Sequence, residues 1–334
     1  MKPTGAALRA LSSALYHTGL VGPLTALAGR ARRGPTFQVL TFHRVSDDQD
    51  PFLPAMPTRL FEAQMAHIAR HYRVFPVEDL VERMRAGRVP PNALALTFDD
   101  GYRDNLTEAA PILARHGLPA TIFLTTGCIG TGQIPWFDQL AVALKTTPRE
   151  ALRLTADRIL PLGTEEERLR ALDASLGHLK RLPDEERRDG LDRILDQLGG
   201  SAPGETKSLM LSWDEVQALR GLGFAVGAHT VSHPILSRTS ADRAGEEIDG
   251  CKRDIERHLG GPVRGFAYPN GGAGDYTETV KHLVREAGFA WAVTTRHGLN
   301  TPRTPPLELR RGGPREDHLP TYALRLAYYR LAEP

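Results

Sequence analysis

The chain has 334 residues, 41% of them hydrophobic and 25% charged, with 42 Lys and Arg against 40 Asp and Glu for a net charge of +2. That length suits one large α/β domain with an elaboration, or two ordinary domains, and the near balance of charge excludes a bulk footprint for nucleic acid. Cys128 and Cys251 stand far apart and outside any C-x-x-C arrangement, which excludes a disulfide framework and a thiolate zinc site.

Residues 1–34 read as a separate N-terminal helical segment. Lys2 and Arg9 precede a moderately apolar stretch that ends in Ala26-Leu27-Ala28, a cleavage-site pattern, and in that reading the chain is exported. His17, Gly19, Gly22 and Pro23 interrupt the stretch, so it is too broken for a spanning helix of roughly 20 apolar residues. Leu8, Leu11 and Leu15 share one face at helical spacing. The alternative is therefore an amphipathic helix lying on the domain or making a peripheral membrane contact through residues 1–30, with the protein cytoplasmic or at the membrane surface.

After a basic, Gly- and Pro-containing joint at 30–35, short apolar runs alternate with amphipathic segments through the main domain, 35–334. Strands are predicted at Phe37–Phe42, Ala93–Phe98, 120–124, 224–228, 263–268 and 290–294. Helices are predicted behind Thr58 as N-cap, at 105–116, at 213–219 behind the capping-box pair Ser212 and Glu215, at Ala241–Leu259 and at 277–287. Strands alternating with helices imply a mostly parallel sheet, and the length suits an α/β fold built as a single distorted (β/α) barrel of about seven strands. The segment at about 138–207 breaks the rhythm. It is charged, lacks strand-like runs, opens a helix with Thr164 and Glu167, and carries two stripes, Leu169-Leu172-Leu176-Leu179 and Leu191-Ile194-Leu195-Leu198. It reads as a helical insertion, either a packed surface hairpin or a wall that guides substrate.

In barrels of this kind chemistry collects at the C-terminal ends of strands. His43, Asp99, Asp100, His229 and Tyr268 all fall there. His229 and His233, four residues apart, can present both rings to one ion, and Leu96-Thr97-Phe98-Asp99-Asp100-Gly101 ends an apolar strand in paired carboxylates. Two acids side by side repel, and a divalent cation keeps both ionised. Two neutral nitrogens and one carboxylate are the ligand set of a catalytic zinc with a position left open. One Asp would ligate and its neighbour act as base.

Thr97-Phe98-Asp99-Asp100-Gly101-Tyr102 followed by His229-Thr230-Val231-Ser232-His233 resembles the first two motifs of the polysaccharide deacetylase family, over roughly residues 36–312. The resemblance implies Asp99 as catalytic base, Asp100, His229 and His233 as ligands to a divalent metal, most simply Zn2+, and a carbohydrate substrate. The family's third motif carries an arginine that orients the base together with a later Asp; here Phe266-Ala267-Tyr268-Pro269-Asn270-Gly271 has Ala267 in its place, and no such Asp stands in 291–295. Both partners are expected to be absent. The Asn270 backbone N–H remains available as an oxyanion donor. The late Leu-x-His acid is also missing, with Leu307-Glu308-Leu309-Arg310-Arg311-Gly312 near its place. Val39-Leu40-Thr41-Phe42-His43-Arg44-Val45 is similar to the first strand of the exopolysaccharide-deacetylase branch, where the acid histidine comes early, so His43 is the candidate acid; His297 and His318 have no strand lead-in. Tyr102 and Tyr268, with Trp136 and Trp291, are candidate rim aromatics for sugar faces. Removal of N-acetyl groups from an N-acetylhexosamine polymer is the leading reading. A metal-dependent C–N hydrolase on a small amide and a catalytically silent sugar-binding relative are its rivals.

Overall fold

The central strand β3, Ala93–Phe98, is buried at every position, as a parallel strand covered on both faces must be. In the computed structural model, which describes residues 5–31, 35–200, 209–313 and 316–332, it pairs in parallel with β1 (Phe37–Phe42), Thr41 opposite Thr97. The sheet continues through β4 (Thr121–Leu124), β7 (Ala225–Ala228), β8 (Gly265–Ala267) and β9 (Trp291–Val293) in the order β1-β3-β4-β7-β8-β9, and a two-residue strand β2 (Arg73–Val74) also joins β3. Between β9 and β1 runs an extended segment without a strand of its own. Thr294 N–H donates to the Leu309 carbonyl (2.8 Å), Leu309 N–H to Ala292 (2.9 Å) and Gly312 N–H to Val39 (2.9 Å). The curled parallel sheet and this bridging segment are the distorted barrel expected from the alternation of elements.

Side chains alternate about the barrel wall as a strand period of two requires. Val39, Ala95, Phe123, Ala267, Val293 and Leu309 share one cluster. Leu40, Phe42, Leu94, Leu96, Phe98, Ile122 and Leu124 pack outward with the helices in another. Those helices are α3 (Thr58–His71), a π-turn at Asn105–Ala109 running into α5 (Ala110–Arg115), α9 (Trp213–Gly221), α10 (Ala241–Leu259) and α11 (Glu278–Glu286), while α4 (Val77–Arg85) packs Val77, Leu80, Val81 and Met84 into the first cluster. Both predicted capping boxes form, at Thr164 with Glu167 and at Ser212 with Glu215. Thr58 is not an N-cap. It is the first helical residue behind Pro57, and the preceding loop supplies the cap: Asp47 accepts from the Thr58 N–H at 2.8 Å and its hydroxyl at 2.6 Å.

The segment after β4 holds α6 (Trp136–Thr146), α7 (Glu165–Leu179) and α8 (Asp184–Leu198), whose leucines close a core of their own around Leu140, Leu152, Leu172, Leu179, Ile194 and Leu198. An antiparallel hairpin, β5 (Ala151–Thr155) with β6 (Arg158–Pro161), stands where only helix was expected. Of its residues Leu152 alone is buried, and the alternation of Leu152, Arg153 and Leu154 is too short to stand out from the charged segment around it. Residues 201–207 of the predicted insertion lie outside the described residues. At the chain ends α1 (Gly5–His17), α2 (Val21–Ala31) and α12 (Leu319–Ala332) pack together against α3.

Candidate metal centre

The barrel's alternation extends past the strand ends and builds the site. Inward-facing Thr41, Thr97 and Leu309 are followed two residues later by His43, Asp99 and Arg311, and His229 follows β7 directly. The loops that aim the remaining groups need uncommon backbone. Four of the five described non-glycine residues with positive φ are Asp100 (73°), Thr230 (66°), His233 (58°) and Asn270 (56°), and such conformations persist where surrounding structure over-determines them. Gly101 (φ 89°) follows in the same turn; the glycine of the D-D-G triplet is favoured by its positive φ, and a Cβ there would also press on the Ile129 side chain, 2.8 Å away at Cδ1.

Asp100, His229 and His233 converge, all three buried, with one ligating atom from each within 4.8 Å of the others. Nε2 of His229 and of His233 lie 3.5 Å and 3.4 Å from Asp100 Oδ1. Burial drives His229 down to about 4 and His233 well below the ordinary histidine value, so the imidazoles are neutral and these contacts are not ion pairs. Burial, with Asp99 and Asp138 beside it, pushes the Asp100 carboxyl well above the usual range, a penalty that a bound cation removes. Asp100 Oδ1 is buried without a hydrogen-bond partner. His229 Nδ1 donates to the Ala267 carbonyl at 2.7 Å, which fixes the tautomer and turns the Nε2 lone pair toward Asp100, as second-layer carbonyls do at metal sites. The orphaned oxygen and the two oriented nitrogens fit a divalent ion.

Neighbouring elements hold this triad. Glu247 of α10, buried, accepts from the N–H groups of Val231 (2.9 Å) and Ser232 (2.8 Å) and from the Ser232 hydroxyl (2.6 Å), clamping the turn between the histidines. From α6, Trp136 Nε1 donates to the His233 carbonyl at 3.1 Å, and the Phe137 ring sits edge-on to His233 at 5.1 Å. Asp138 accepts from the Tyr102 hydroxyl at 2.7 Å, and burial pushes its carboxyl up to about 7. The first turn of the helical insertion is thus part of the wall of the site.

The expectation that no arginine attends Asp99 is overturned. Arg311, 1% exposed, donates Nη1 to Asp99 Oδ1 at 2.6 Å and Nη2 to Oδ2 at 2.5 Å, a bidentate pair. Its remaining donors reach Thr97 Oγ1 (3.2 Å) and the Thr294 carbonyl (3.0 Å). The guanidinium arrives from the segment that closes the barrel instead of from β8, and the Thr294 carbonyl stands where a carboxylate was sought. Burial alone would raise the Asp99 carboxyl; the Arg311 guanidinium, through its charge and its hydrogen bonds, outweighs it and holds it well below the usual carboxylate range. A signal was present in Leu307-x-Leu309-x-Arg311, an alternation that continues an inward-facing row.

His43 is exposed at the mouth, close enough to act electrostatically on Asp99, His229 and His233. Its carbonyl is held by Asn105 Nδ2 at 2.7 Å. Asn270 lies past β8 with its carbonyl held by the Thr295 hydroxyl at 2.6 Å, and its N–H has no acceptor among the described residues. The rim aromatics are corrected: Tyr102, Tyr268, Trp136 and Trp291 are all buried. Tyr102 turns inward to Asp138, and Tyr268 donates to the Leu307 carbonyl (3.1 Å) while stacking on Tyr276. Each ring has an apolar bed and most have a polar partner inside the protein, so none offers a face to a sugar.

Comparison with known proteins bears on this centre. The family model described as polysaccharide deacetylase matches residues 86–292. A Bacillus subtilis (strain 168) protein named as a polysaccharide deacetylase, YxkH, is 31% identical over 94 residues, a match spanning 28% of this chain and 33% of that protein's length. The Streptococcus pyogenes deacetylase PplD, solved in complex with acetate, superposes with a TM-score of 0.60 at 18% identity over 90% of this chain and all of that one. IcaB from Ammonifex degensii superposes with a TM-score of 0.55 at 21% identity, over 88% of this chain and 98% of that one.

Proposed function

The chain belongs to the polysaccharide deacetylase family, and from that premise we propose that it removes N-acetyl groups from an N-acetylhexosamine-containing polysaccharide or oligosaccharide. The observation that carries the reading is the buried Arg311–Asp99 pair beside Asp100, His229 and His233. A protein that merely bound sugar, or merely stored a metal, would have no use for an ionised carboxylate held apart from the ligand set.

Asp100, His229 and His233 would hold the ion, for which zinc suits two imidazoles and a carboxylate. When bound it supplies Lewis-acid polarisation of the acetamide carbonyl and lowers the pKa of water. Asp99 stays ionised through Arg311, and with one lone pair of each oxygen engaged by the guanidinium it retains others to take a proton from the attacking water. The Asn270 N–H donates to the oxyanion that develops on the carbonyl carbon's oxygen. His43 gives a proton to the departing amine from the open side of the mouth, and C–N cleavage leaves acetate and a glucosamine-type amine. Purified protein with zinc and N-acetylglucosamine oligomers should release acetate; Asp99→Asn should keep its metal and lose release, and Asp100→Asn should lose the metal. Undiminished release by Asp99→Asn would sink the mechanism.

A further inference from the structure

Six large apolar side chains are left exposed among the described residues, and four of them belong to the terminal helices and the turn between α1 and α2: Leu11 (55%), Leu20 (49%), Leu27 (61%) and Tyr328 (61%). Helix α12 packs against both α1 and α2, and the three form a layer over α3. Ser12 and Thr321 join their hydroxyls within it at 2.9 Å, and Val21, Thr25, Tyr322 and Leu326 are buried beneath it. Leu20, in the turn that leads into α2, and Leu27 within α2 are both exposed, and Arg325 with Tyr328 marks the outward side of α12. None of these helices is long and apolar enough to cross a membrane.

Charge singles out the occupant. Residues 1–35 contain Lys2, Arg9, Arg30, Arg32 and Arg33 and no Asp or Glu, in a chain whose net charge is only +2. Acidic residues next to the layer are engaged locally, Asp317 with Arg9 (3.0 Å) and Glu316 with Arg325 (2.7 Å). We propose that this layer docks in the plane of an anionic phospholipid surface, with Leu11, Leu20, Leu27 and Tyr328 entering the headgroup boundary. Exposed apolar groups on a cationic, acid-free segment are what interfacial binding uses, through buried apolar area and electrostatic attraction together. The proposal is independent of the catalytic reading, since none of these residues belongs to the barrel mouth.

The test is co-sedimentation of the full chain with vesicles of phosphatidylcholine alone and of phosphatidylcholine with phosphatidylglycerol. Binding should be about tenfold or more stronger to the anionic vesicles and should weaken with added salt. The double variant Leu20→Glu/Leu27→Glu should lose about tenfold or more of that binding with unchanged circular dichroism and melting, while Leu222→Glu, an exposed leucine elsewhere on the surface, should bind as the parent does. No binding to anionic vesicles at low salt overturns the proposal, as does an equal effect of the Leu222 control. A concentration-dependent dimer that the double variant abolishes, without lipid binding, assigns the face to self-association and overturns it too.

Discussion

Replacing Arg311 with Met keeps an unbranched, flexible side chain of similar length and removes both donors from Asp99. The guanidinium and carboxylate are 1% and 2% exposed and meet through bonds of 2.6 Å and 2.5 Å. Breaking a buried pair at one side costs about 3–5 kcal/mol, because the surviving charge is left unpaired. Here Asp99 can escape part of that penalty by taking up a proton, and Asp100 beside it pushes the same way. The sign with pH follows. In the parent the Asp99 carboxyl sits below its unfolded value, so the stabilisation by the pair is present above about pH 4 and lost as pH falls through the lower, folded value. In Arg311→Met burial raises the carboxyl, and the base is protonated over a range where the parent's is not. Acetate release from N-acetylglucosamine oligomers near neutral pH should fall by roughly 10²–10⁴, the usual worth of a positioned base, and the variant's rate should climb with pH across a range where the parent's is flat. Zinc affinity should change far less than the rate, since Asp100, His229 and His233 are untouched. Arg311→Lys should fall between the two, keeping a charge but not the planar fork. A parent-like rate and pH profile in Arg311→Met would refute the assignment of Arg311 as the residue that keeps Asp99 ionised.

Three further outcomes are expected. His43→Ala should lose on the order of 10²-fold on an acetamide, which needs its amine protonated, and far less on an activated ester; equal small losses on both would make His43 structural. Trp136→Phe leaves the His233 carbonyl without its 3.1 Å donor, and zinc affinity measured by chelator competition should drop roughly tenfold, at the low end of what outer partners of metal ligands contribute; unchanged affinity would show that the insertion does not support His233. His67 in α3 is buried with neither ring nitrogen hydrogen-bonded, and burial, then His71 and Arg70, hold it at about 4. The unfolded chain therefore binds the extra proton first, and stability should decline as pH falls from 6.5 toward 4, by up to roughly 3 kcal/mol. His67→Leu should flatten that part of the denaturant-midpoint curve, and a slope equal to the parent's would place its origin elsewhere.

What could be read from the sequence was what a short stretch of chain decides for itself. Ala93–Phe98 is apolar at nearly every position and ends in D-D-G, so both the strand and the turn that carries Asp99 and Asp100 were visible, down to the strand's last residue. His229 and His233 were visible as a pair because four residues separate them. Groups that reach the site from a distance were not. Glu247 clamps the histidine turn from the second turn of α10, where a glutamate looks like any solvated helix residue. Trp136 looked like a rim aromatic, because nothing in its own neighbourhood says that its indole N–H meets the His233 carbonyl 97 residues on. Arg311 is the plainest case. It lies 212 residues from Asp99, in a segment that bonds to β9 and β1 without forming a strand, and it was sought where relatives carry an arginine, beside the Ala267 position. The pairing of base and guanidinium belongs to the barrel mouth and not to one motif. Any inward-facing row that ends there can deliver the charge, so the loss of an arginine from its customary strand is weak evidence that the base has lost its partner until every row around the mouth has been followed to its end.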